Sequence, residues 1–313
     1  MRKVLYPLKL KPLFKERIWG GRKLAEVFGC DLPAGAPIGE MWAAADHPNG
    51  MSLIQNGPFS GKTLGEILRQ YPKELVGKDN EASRFPLMVK ILDTGSNLSV
   101  QVHPDDTYAS IHEKDMGKNE MWYIIQAGPD AEIIYGLKPG VTRAEFIRAI
   151  QSGSLEECLH KVKVKSGDVF YIPPGLVHAM GKDVLAAEVQ QTSDITYRIY
   201  DYGRLDKNGS SRELHIHKAL DVINYSSTYE QTTLTKPFEC PMFRVDLLSV
   251  KNETIAYDLN GELEILLVLA GQGRIKSEEI KAGDAWILPT SLKIVNLTGN
   301  FKILRSRLGS STN

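Results

Sequence analysis

Short apolar runs separated by glycine and proline dominate the hydrophobic pattern of this chain. Residues 85–92 form a nearly continuous apolar run, which predicts a strand buried on both faces and interrupted by Lys90. A lysine there either reaches solvent at the strand end or meets an anion, and the pattern leaves both open. The pattern indicates a mainly β protein, with further strands predicted at 97–104, 121–125, 169–172, 184–190 and 195–200.

Helices are predicted where a capping residue precedes an apolar stripe of helical period. Thr63 with Glu66 forms a capping box and predicts a helix over 63–77. Asp105 or Asp106 is predicted to cap a short helix that follows the strand at 97–104. The remaining predicted helices begin at the capping boxes Thr142 with Glu145 and Ser154 with Glu157, and at residues 214–221.

The first 60 residues carry many glycines and prolines and few periodic segments. This composition predicts short strands and loops laid over a core built elsewhere. Trp19 and Trp42 each stand beside glycines, and their spacing alone favours packed aromatic side chains next to turns over a binding role.

The last 75 residues repeat the strand pattern of the first part, after a Ser- and Thr-rich segment at 225–237 that predicts a linker. Residues 283–289 reproduce the glycine-to-proline frame of residues 167–173, but no histidine follows. We therefore predict a catalytic domain at 1–230 and a degenerate β-domain of short strands at 238–313, with a structural role.

Three polar side chains share one face of the strand predicted at 97–104. Alternation places Ser99, Gln101 and His103 on this face and apolar residues on the other, which is typical of a lined cavity. A second rigid position is His178, because Pro173-Pro174-Gly175 ends the preceding strand and reverses the backbone.

Gln101, His103, Glu120 and His178 form the candidate metal-binding set. Two imidazoles, one carboxylate and one amide oxygen suit zinc, iron, manganese or cobalt in a site with an open position. The alternative is four separate polar residues with ordinary hydrogen bonds. The pair His215 and His217 is a weaker rival, because Lys218-Ala219-Leu220 favours helix, where that spacing does not place both on one face.

Composition excludes several other classes of protein. The 38 basic and 38 acidic residues leave no net charge, which argues against a general nucleic-acid or anionic-membrane surface. The three widely spaced cysteines predict free thiols in a reducing cytoplasm. No signal-peptide core or apolar run of 18 residues occurs, and no protein partner is implied.

The frame from Gly167 to His178 resembles the second signature motif of the cupin superfamily. The ordered segments 99–106, 118–122 and 193–198, together with Trp19-Gly20-Gly21 and residues 39–42, resemble the type I phosphomannose isomerases in their short bacterial form. The resemblance implies two cupin-like jelly-roll barrels with a few helices around the first. It also implies one Zn²⁺ per chain on Gln101, His103, Glu120 and His178.

The same resemblance implies the activity and further site residues. The expected reaction is the metal-dependent interconversion of mannose 6-phosphate and fructose 6-phosphate through an enediolate, with a sugar phosphate as the small-molecule partner. Arg198 and Lys118 are expected to be catalytic, and Ser99, Lys90, Glu40 and Trp19 to contact substrate.

The sequence leaves two questions about the reaction open. Arg198 could bind the phosphate or the developing oxyanion, and the proton-transfer base could be Glu40, Lys118 or a water on the metal. The competing functions are another metal cupin, such as an iron-dependent dioxygenase, and a non-catalytic sugar-binding cupin. Gln101 and Arg198 count against the first alternative, and the intact ligand set counts against the second.

Overall fold

The computed structural model describes residues 5–77, 84–206, 208–226 and 232–309. The expectation of a mainly β chain is confirmed. The strands are β1 Leu8–Lys11, β2 Leu13–Gly21, β3 Ile38–Ala44, β4 Asp46–His47, β5 Gly50–Met51, β6 Leu53–Ile54, β7 Leu87–Thr94, β8 Val100–Val102, β9 Glu120–Ala127, β10 Glu132–Leu137, β11 Leu159–Lys163, β12 Asp168–Ile172, β13 His178–Met180, β14 Val184–Gln191, β15 Tyr197–Tyr200, β16 Thr232–Thr233, β17 Phe238–Glu239, β18 Phe243–Asp258, β19 Glu264–Ile275, β20 Glu278–Lys281, β21 Ala285–Leu288 and β22 Ile294–Leu308.

Six helices lie between these strands within the described ranges. They are α1 Lys23–Phe28, α2 Leu64–Gln70, α3 Pro72–Val76, α4 Asp106–His112, α5 Arg143–Ser152 and α6 Ile216–Val222, with short 3-10 helices at Gly57–Phe59 and Leu155–Cys158. None of the helices in the described part of the chain is long and apolar enough to span a membrane.

Three of the four predicted helix caps are formed. The capping boxes at Thr63 and Thr142 are both formed, and the Asp105 side chain accepts a hydrogen bond from the N–H of Tyr108 at the start of α4. The single helix predicted over 63–77 is instead α2 and α3. Pro72 separates them because proline has no N–H to continue the ladder and restricts the residue before it.

The capping box predicted at Ser154 is wrong. Residues Leu155–Cys158 form one 3-10 turn, and no side-chain hydrogen bond caps it. A single turn of this kind closes by i to i+3 bonds and does not need the reciprocal cap of an α-helix.

Two antiparallel sheets build the first part of the molecule. One sheet has the order β16-β12-β9-β14-β7-β2-β3, and the other has the order β11-β10-β13-β8-β15. Apolar side chains from both sheets pack together, including Trp122 and Phe170 from the larger sheet and Ile133, Tyr135 and Met180 from the smaller one. The space between the sheets is therefore closed by a common core.

Each of these sheets also has a covered outer face. Phe146 and Ala149 of α5 and Ala219 of α6 pack on Val100 and Ala179 of the smaller sheet. The larger sheet packs its outer face on the C-terminal sheet, through side chains that include Ile91, Val189, Val245, Ile265 and Leu304. The helix predicted from Thr142 thus covers part of the smaller sheet.

The C-terminal sheet has the order β17-β18-β22-β19-β21-β1-β6, with β20 paired to β19. Its strands β18, β19 and β22 have 16, 12 and 15 residues, so the expectation of short strands is wrong for these three. It holds for β17, β20 and β21, which have 2, 4 and 4 residues. Strands β1 and β6 from the beginning of the chain belong to this sheet. Of the predicted linker, residues 227–231 lie outside the described residues, and β16 pairs with β12.

Within residues 5–60, strand β3 is part of the core rather than a layer over it. All seven residues of β3 are buried, and β3 pairs with both β2 and β7. Met41 and Trp42 are fully buried at the centre of this strand. Sequence reasoning missed this because Gly20 and Gly39 looked like breakers. Here they allow close approach, since a Cβ on Gly20 would lie 2.5 Å from the backbone nitrogen of Gly39.

Candidate active site and metal centre

Neighbouring strands bring the candidate metal ligands together. Gln101 on β8 and His178 on β13 are directly paired across the smaller sheet, so their side chains point to the same face. Glu120 begins β9 in the larger sheet, opposite Ile172. The N–H of Gly175 donates to the carbonyl of His103 over 2.9 Å, which joins the proline-glycine corner to the end of the ligand strand.

The side chains of His103, Glu120 and His178 converge in a group that could hold a metal ion. Their ligand atoms all lie within 4.8 Å of one another, and all three residues are fully buried. His178 Nε2 lies 3.3 Å from one Glu120 oxygen, and His103 Nε2 lies 3.6 Å from the other. Gln101 Nε2 lies 3.2 Å from His178 Nε2, so the predicted fourth residue adjoins the group.

Hydrogen bonds set the protonation of both imidazoles. His178 Nδ1 lies 2.9 Å from the carbonyl of Leu176, and a carbonyl only accepts, so this nitrogen carries the hydrogen. His103 Nε2 lies 3.2 Å from the ammonium of Lys118, which only donates. Both histidines therefore present an unprotonated Nε2 to the group, the form in which imidazole binds a metal.

Burial and neighbouring charges favour neutral imidazoles at His103 and His178 and an ionised carboxylate at Glu120. Burial, followed by the Lys118 charge, lowers the pKa of His103 to about 3, and burial also lowers the pKa of His178. Burial alone would raise the pKa of Glu120, but Lys118 and His103 outweigh it and hold this pKa well below its usual range. The site therefore contains two neutral imidazoles and one carboxylate at neutral pH.

The donor atoms fit a metal of the zinc type. Lys118 Nζ lies 2.8 Å from Glu120 Oε2, but neither oxygen of Glu120 accepts a well-directed hydrogen bond from a described residue. A buried carboxylate normally has its acceptors satisfied, so unfilled oxygens beside two Nε2 lone pairs indicate room for a cation. The set contains nitrogen and oxygen donors and no thiolate.

A lysine–glutamate pair lies in the sheet beside this group. Lys90 and Glu188 are cross-strand partners on β7 and β14, and Lys90 Nζ lies 3.2 Å from the Glu188 carboxylate. The open question about Lys90 is thus answered, because it is buried and meets an anion. Trp122 Nε1 donates to the other Glu188 oxygen over 3.1 Å, and the Trp122 ring contacts the His178 ring at 5.5 Å between centroids.

Glu188 is a buried acid that the sequence reasoning did not select. Burial, followed by the Glu120 charge, raises its pKa. The available signal was one charged residue within the otherwise apolar run Val184–Val189, the same signal that singled out Lys90. Its importance was not visible because the pairing with Lys90 joins strands far apart in the chain.

Glu40 is tied in place by its own partners. Its carboxylate accepts hydrogen bonds from Arg17 Nε and Nη2 at 2.8 and 3.0 Å and from Trp42 Nε1 at 2.6 Å. Burial would raise the pKa of Glu40, but Lys90 and Arg17 more than offset it and the pKa is lowered. Lys90 also lies over the Trp42 ring, with Nζ 5.1 Å from its centroid.

The remaining predicted substrate contacts differ in their surroundings. Ser99 is buried and its Oγ lies 3.5 Å from Gln101 Oε1, which places it beside the ligand group. Trp19 is buried in the core between the sheets with Leu92 and Trp122, as its spacing alone suggested. A direct contact between Trp19 and substrate stays a prediction.

Arg198 lies on the same face as the ligand group, with unused hydrogen-bonding capacity. It is the cross-strand partner of Gln101, and its Nη1 donates to the carbonyl of Glu213 over 2.7 Å. Its Nε is buried and has no hydrogen-bond partner among the described residues. Burial, followed by the nearby charge of Arg212, lowers the pKa of Arg198. No carboxylate in the described part of the chain forms an ion pair with it.

The rival histidine pair is not part of this centre. His215 Nδ1 accepts from the N–H of Arg198, and His217 lies in α6. Neither belongs to the group of metal-binding side chains found among the described residues.

Comparisons with known proteins agree with this geometry. The model of the phosphomannose isomerase type I catalytic domain matches residues 7–127. The chain is 45% identical to mannose-6-phosphate isomerase ManA of Bacillus subtilis, over 96% of this chain and 99% of that protein. It is 38% identical to the mannose-6-phosphate isomerase of Streptococcus mutans, over 96% of this chain and 98% of that protein.

The structural comparison extends over the same length. The crystal structure of the mannose 6-phosphate isomerase from Bacillus subtilis matches with a TM-score of 0.88 and 39% identity, covering 96% of this chain and 99% of that one. This match confirms the expected mainly β, cupin-like fold. With relatives at this identity along nearly the whole chain, the protein belongs to the type I phosphomannose isomerase family.

Proposed function

We propose that this protein interconverts mannose 6-phosphate and fructose 6-phosphate with one Zn²⁺ bound by His103, Glu120, His178 and Gln101. The observation that carries the proposal is the buried group of two unprotonated imidazole nitrogens and an unfilled carboxylate. Rotation of the Gln101 amide by half a turn would exchange Nε2 for Oε1 beside this group. When bound, the metal would supply a Lewis acid at the sugar oxygens, where negative charge develops.

We assign the substrate phosphate to Arg198. Lys90 and Lys118 are each neutralised by a partner carboxylate, Glu188 and Glu120. Arg198 has no such partner among the described residues and a free Nε, so it retains its charge for an anion. Arg212 adds positive potential nearby, although its guanidinium is also bound to Asp201. Guanidinium groups bind phosphate well because their donors form a planar fork.

We assign the transfer of the carbon-bound proton to Glu188. In the direction from mannose 6-phosphate, the base removes the proton from C2, the C–H electrons form the C1–C2 double bond, and the electrons of the C1 carbonyl move to O1, which takes up a proton. The base then returns its proton to C1, and the C2 hydroxyl loses its proton and becomes the carbonyl. A base for this step needs a pKa above that of an ordinary carboxyl group, so that it binds the proton more readily. The pKa of Glu188 is raised, whereas Glu40 is anionic and held by three hydrogen bonds.

Lys118 is less suited to act as the base. Burial would lower its pKa, but the Glu120 charge outweighs burial and raises the pKa above its usual range. An ammonium held charged between His103 and Glu120 can donate a hydrogen bond to a sugar oxygen but cannot take a proton. We therefore assign Lys118 to stabilising, by hydrogen bonding, the negative charge that develops on a sugar oxygen beside the metal.

The remaining expectations fit the same function. Gln101 and the cations of the cavity do not favour an iron-dependent dioxygenase, and the complete ligand set does not favour a non-catalytic sugar-binding protein. We also propose a cytoplasmic location, which the free thiols Cys30, Cys158 and Cys240 support. A two-domain division at 1–230 and 238–313 remains part of the proposal.

The direct test is an isomerase assay on the purified protein. With zinc added, mannose 6-phosphate should yield fructose 6-phosphate. Activity should disappear with a chelator and return with metal. Unphosphorylated mannose is the matched control and should turn over far more slowly. No isomerisation by the zinc-loaded protein would refute the proposed function.

A further inference from the structure

The segment Gly117–Asn119 carries Lys118 into the site, and three consecutive backbone N–H groups hold it. The N–H of Gly117 donates to Asp106 Oδ1 over 2.8 Å, and that of Lys118 to the carbonyl of Pro104 over 3.0 Å. The N–H of Asn119 donates to Gln191 Oε1 over 2.9 Å. Two of these three acceptors are side chains from other elements, so the segment depends on them for its position.

Gln191 joins these contacts into one network. Its Oε1 accepts from both the N–H and Nδ2 of Asn119, and its Nε2 donates to the same Asp106 oxygen over 3.0 Å. Tyr171 completes the network by donating to Asn119 Oδ1 over 2.7 Å. Gln191 is 2% exposed, and its amide contacts no ligand of the metal group directly. We call Asp106, Asn119, Tyr171 and Gln191 the amide clamp.

The amide clamp connects three segments that supply the site. Asp106 follows His103 in the chain, Asn119 lies between Lys118 and Glu120, and Gln191 ends the strand that carries Glu188. Close packing leaves little tolerance, because a Cβ on Gly117 would lie 2.4 Å from the backbone nitrogen of Asp106. A shift of this segment would therefore move Lys118 and Glu120 together relative to His103.

The distances at the site show what such a shift would disturb. Lys118 Nζ lies 2.8 Å from Glu120 Oε2 and 3.2 Å from His103 Nε2. The function proposed above needs both the carboxylate and the ammonium at these places. Side chains that orient metal ligands through hydrogen bonds commonly change affinity or activity by about 10- to 100-fold. Small misplacements of catalytic groups have effects of similar size.

We propose that Gln191 is a positioning residue, which sets the place of Lys118 and Glu120 through the amide clamp and so tunes metal affinity and turnover. This inference rests on the proposed function for the turnover part. The effect on metal affinity does not depend on the isomerase activity, because it concerns the position of the ligand Glu120.

The main test compares Gln191→Leu with the unchanged protein, using Co²⁺ as the metal probe. Gln191→Leu keeps the side-chain volume and removes every hydrogen bond of the amide. We expect Co²⁺ affinity to fall about 10-fold or more, the visible Co²⁺ spectrum to change, and kcat to fall more than KM rises. Asp106→Ala, on the exposed side of the clamp, should produce the same changes in smaller degree.

Two comparisons separate positioning from general destabilisation. Asp106→Asn retains an oxygen acceptor for Gly117 and Gln191, so it should recover most of what Asp106→Ala loses. Asn56→Ala removes a side chain that also bridges backbone groups, those of Lys9 and Pro7, but far from the clamp. It should lower the melting temperature without changing Co²⁺ affinity or spectrum.

The inference is overturned if Gln191→Leu only lowers the melting temperature, as Asn56→Ala does, with Co²⁺ affinity and spectrum unchanged. It is also overturned if Asp106→Asn is no better than Asp106→Ala. If neither the unchanged protein nor any variant isomerises mannose 6-phosphate, but Gln191→Leu still alters Co²⁺ binding, the proposed function is refuted. The role of the amide clamp in metal binding is then retained.

Discussion

Two buried glutamates of the larger sheet have opposite properties because of their neighbours. Glu40 lies near Arg17, Trp42 and Lys90, which lower its pKa, and Arg17 and Trp42 occupy its oxygens. Glu188 is paired with Lys90 and lies near Lys118, but burial and the charge of Glu120 outweigh both lysines, so its pKa is raised. Residue type alone therefore does not determine which acid can accept a proton.

Glu188→Gln should retain metal and lose turnover. The amide keeps a hydrogen-bond acceptor for Trp122 but cannot take a proton, so we expect kcat to fall about 10²- to 10⁴-fold. Metal content by atomic emission and steady-state kinetics provide the measurement. His178→Ala is the contrasting variant and should lose metal and activity together. Loss of metal from Glu188→Gln would remove Glu188 from the proposed role.

Arg198→Ala should weaken the binding of the phosphate group. A charge-assisted hydrogen bond contributes about 1.5–3 kcal/mol, so we expect kcat/KM to fall about 10- to 150-fold, mainly through KM. Metal content should be unchanged. Inhibition by inorganic phosphate should weaken in parallel. An unchanged phosphate inhibition constant, with only kcat reduced, would instead assign Arg198 to the oxyanion.

The ion pair of Glu40 should stabilise the fold in a pH-dependent way. Because the pKa of Glu40 is lowered on folding from its usual 4.5, its contribution is fully present above that pH and is lost as pH falls through the folded-state pKa. We expect Glu40→Gln to cost about 1–3 kcal/mol at pH 7 and less near pH 3. Urea unfolding of both proteins across this range measures the difference, and a constant difference would contradict the assignment.

Among the elements, the corner before β13 is the one most dependent on backbone conformation. Gly175 has φ of +84°, and an added Cβ would lie 2.9 Å from the carbonyl oxygen of Val222. Its N–H also donates a hydrogen bond to the backbone carbonyl of His103. The proline-glycine motif was therefore a reliable predictor because its geometry is local. The strand predicted at 97–104 is shorter in the structure, where β8 spans Val100–Val102, but Ser99, Gln101 and His103 are all buried beside the ligand group.

Gly175→Ala should damage both stability and metal binding. Backbone strain and the contact with Val222 together should cost about 2–5 kcal/mol. Gly140→Ala is a matched control, because Gly140 has the same φ of +84° with nothing within 4 Å of an added Cβ. Gly140→Ala should lower the free energy of unfolding only by the backbone strain, about 1–2 kcal/mol, and should still bind metal. Thermal unfolding and metal content distinguish the two, and equal effects would argue against this account of the corner.

Across the whole molecule, the C-terminal sheet supports the catalytic sheets without contributing a proposed ligand. It packs against the outer face of the larger sheet and takes in β1 from the start of the chain. Its own polar centre is an ion network in which Asp246 accepts from Arg305 at 2.7 Å through both oxygens and from Arg307 at 2.6 Å. The missing histidine after Gly283 agrees with this supporting role.

Asp246→Ala should therefore destabilise the protein while sparing its chemistry. Removing Asp246 takes the shared carboxylate from two largely buried arginines, which keep their contacts with Glu264 and Glu262, so we expect a cost of about 1.5–3 kcal/mol. Activity per folded molecule and Zn²⁺ content should be unchanged. Glu156→Ala, at an exposed pair with Lys161, is the control and should change stability by less than about 1 kcal/mol. A fall in specific activity would show that the C-terminal sheet affects the site.

The candidate metal ligands, the mainly β class and four of the six helices in the described ranges could be predicted from local sequence patterns. These depend on strand alternation, proline and glycine geometry and capping, which act over a few residues. The contacts of Lys90 with Glu188, of Glu40 with Arg17 and of Gln191 with Asn119 became visible only in the folded molecule. Each of these contacts depends on the register between strands that are distant in the chain. The register determines which partners surround a buried charge, and those partners determine its free energy.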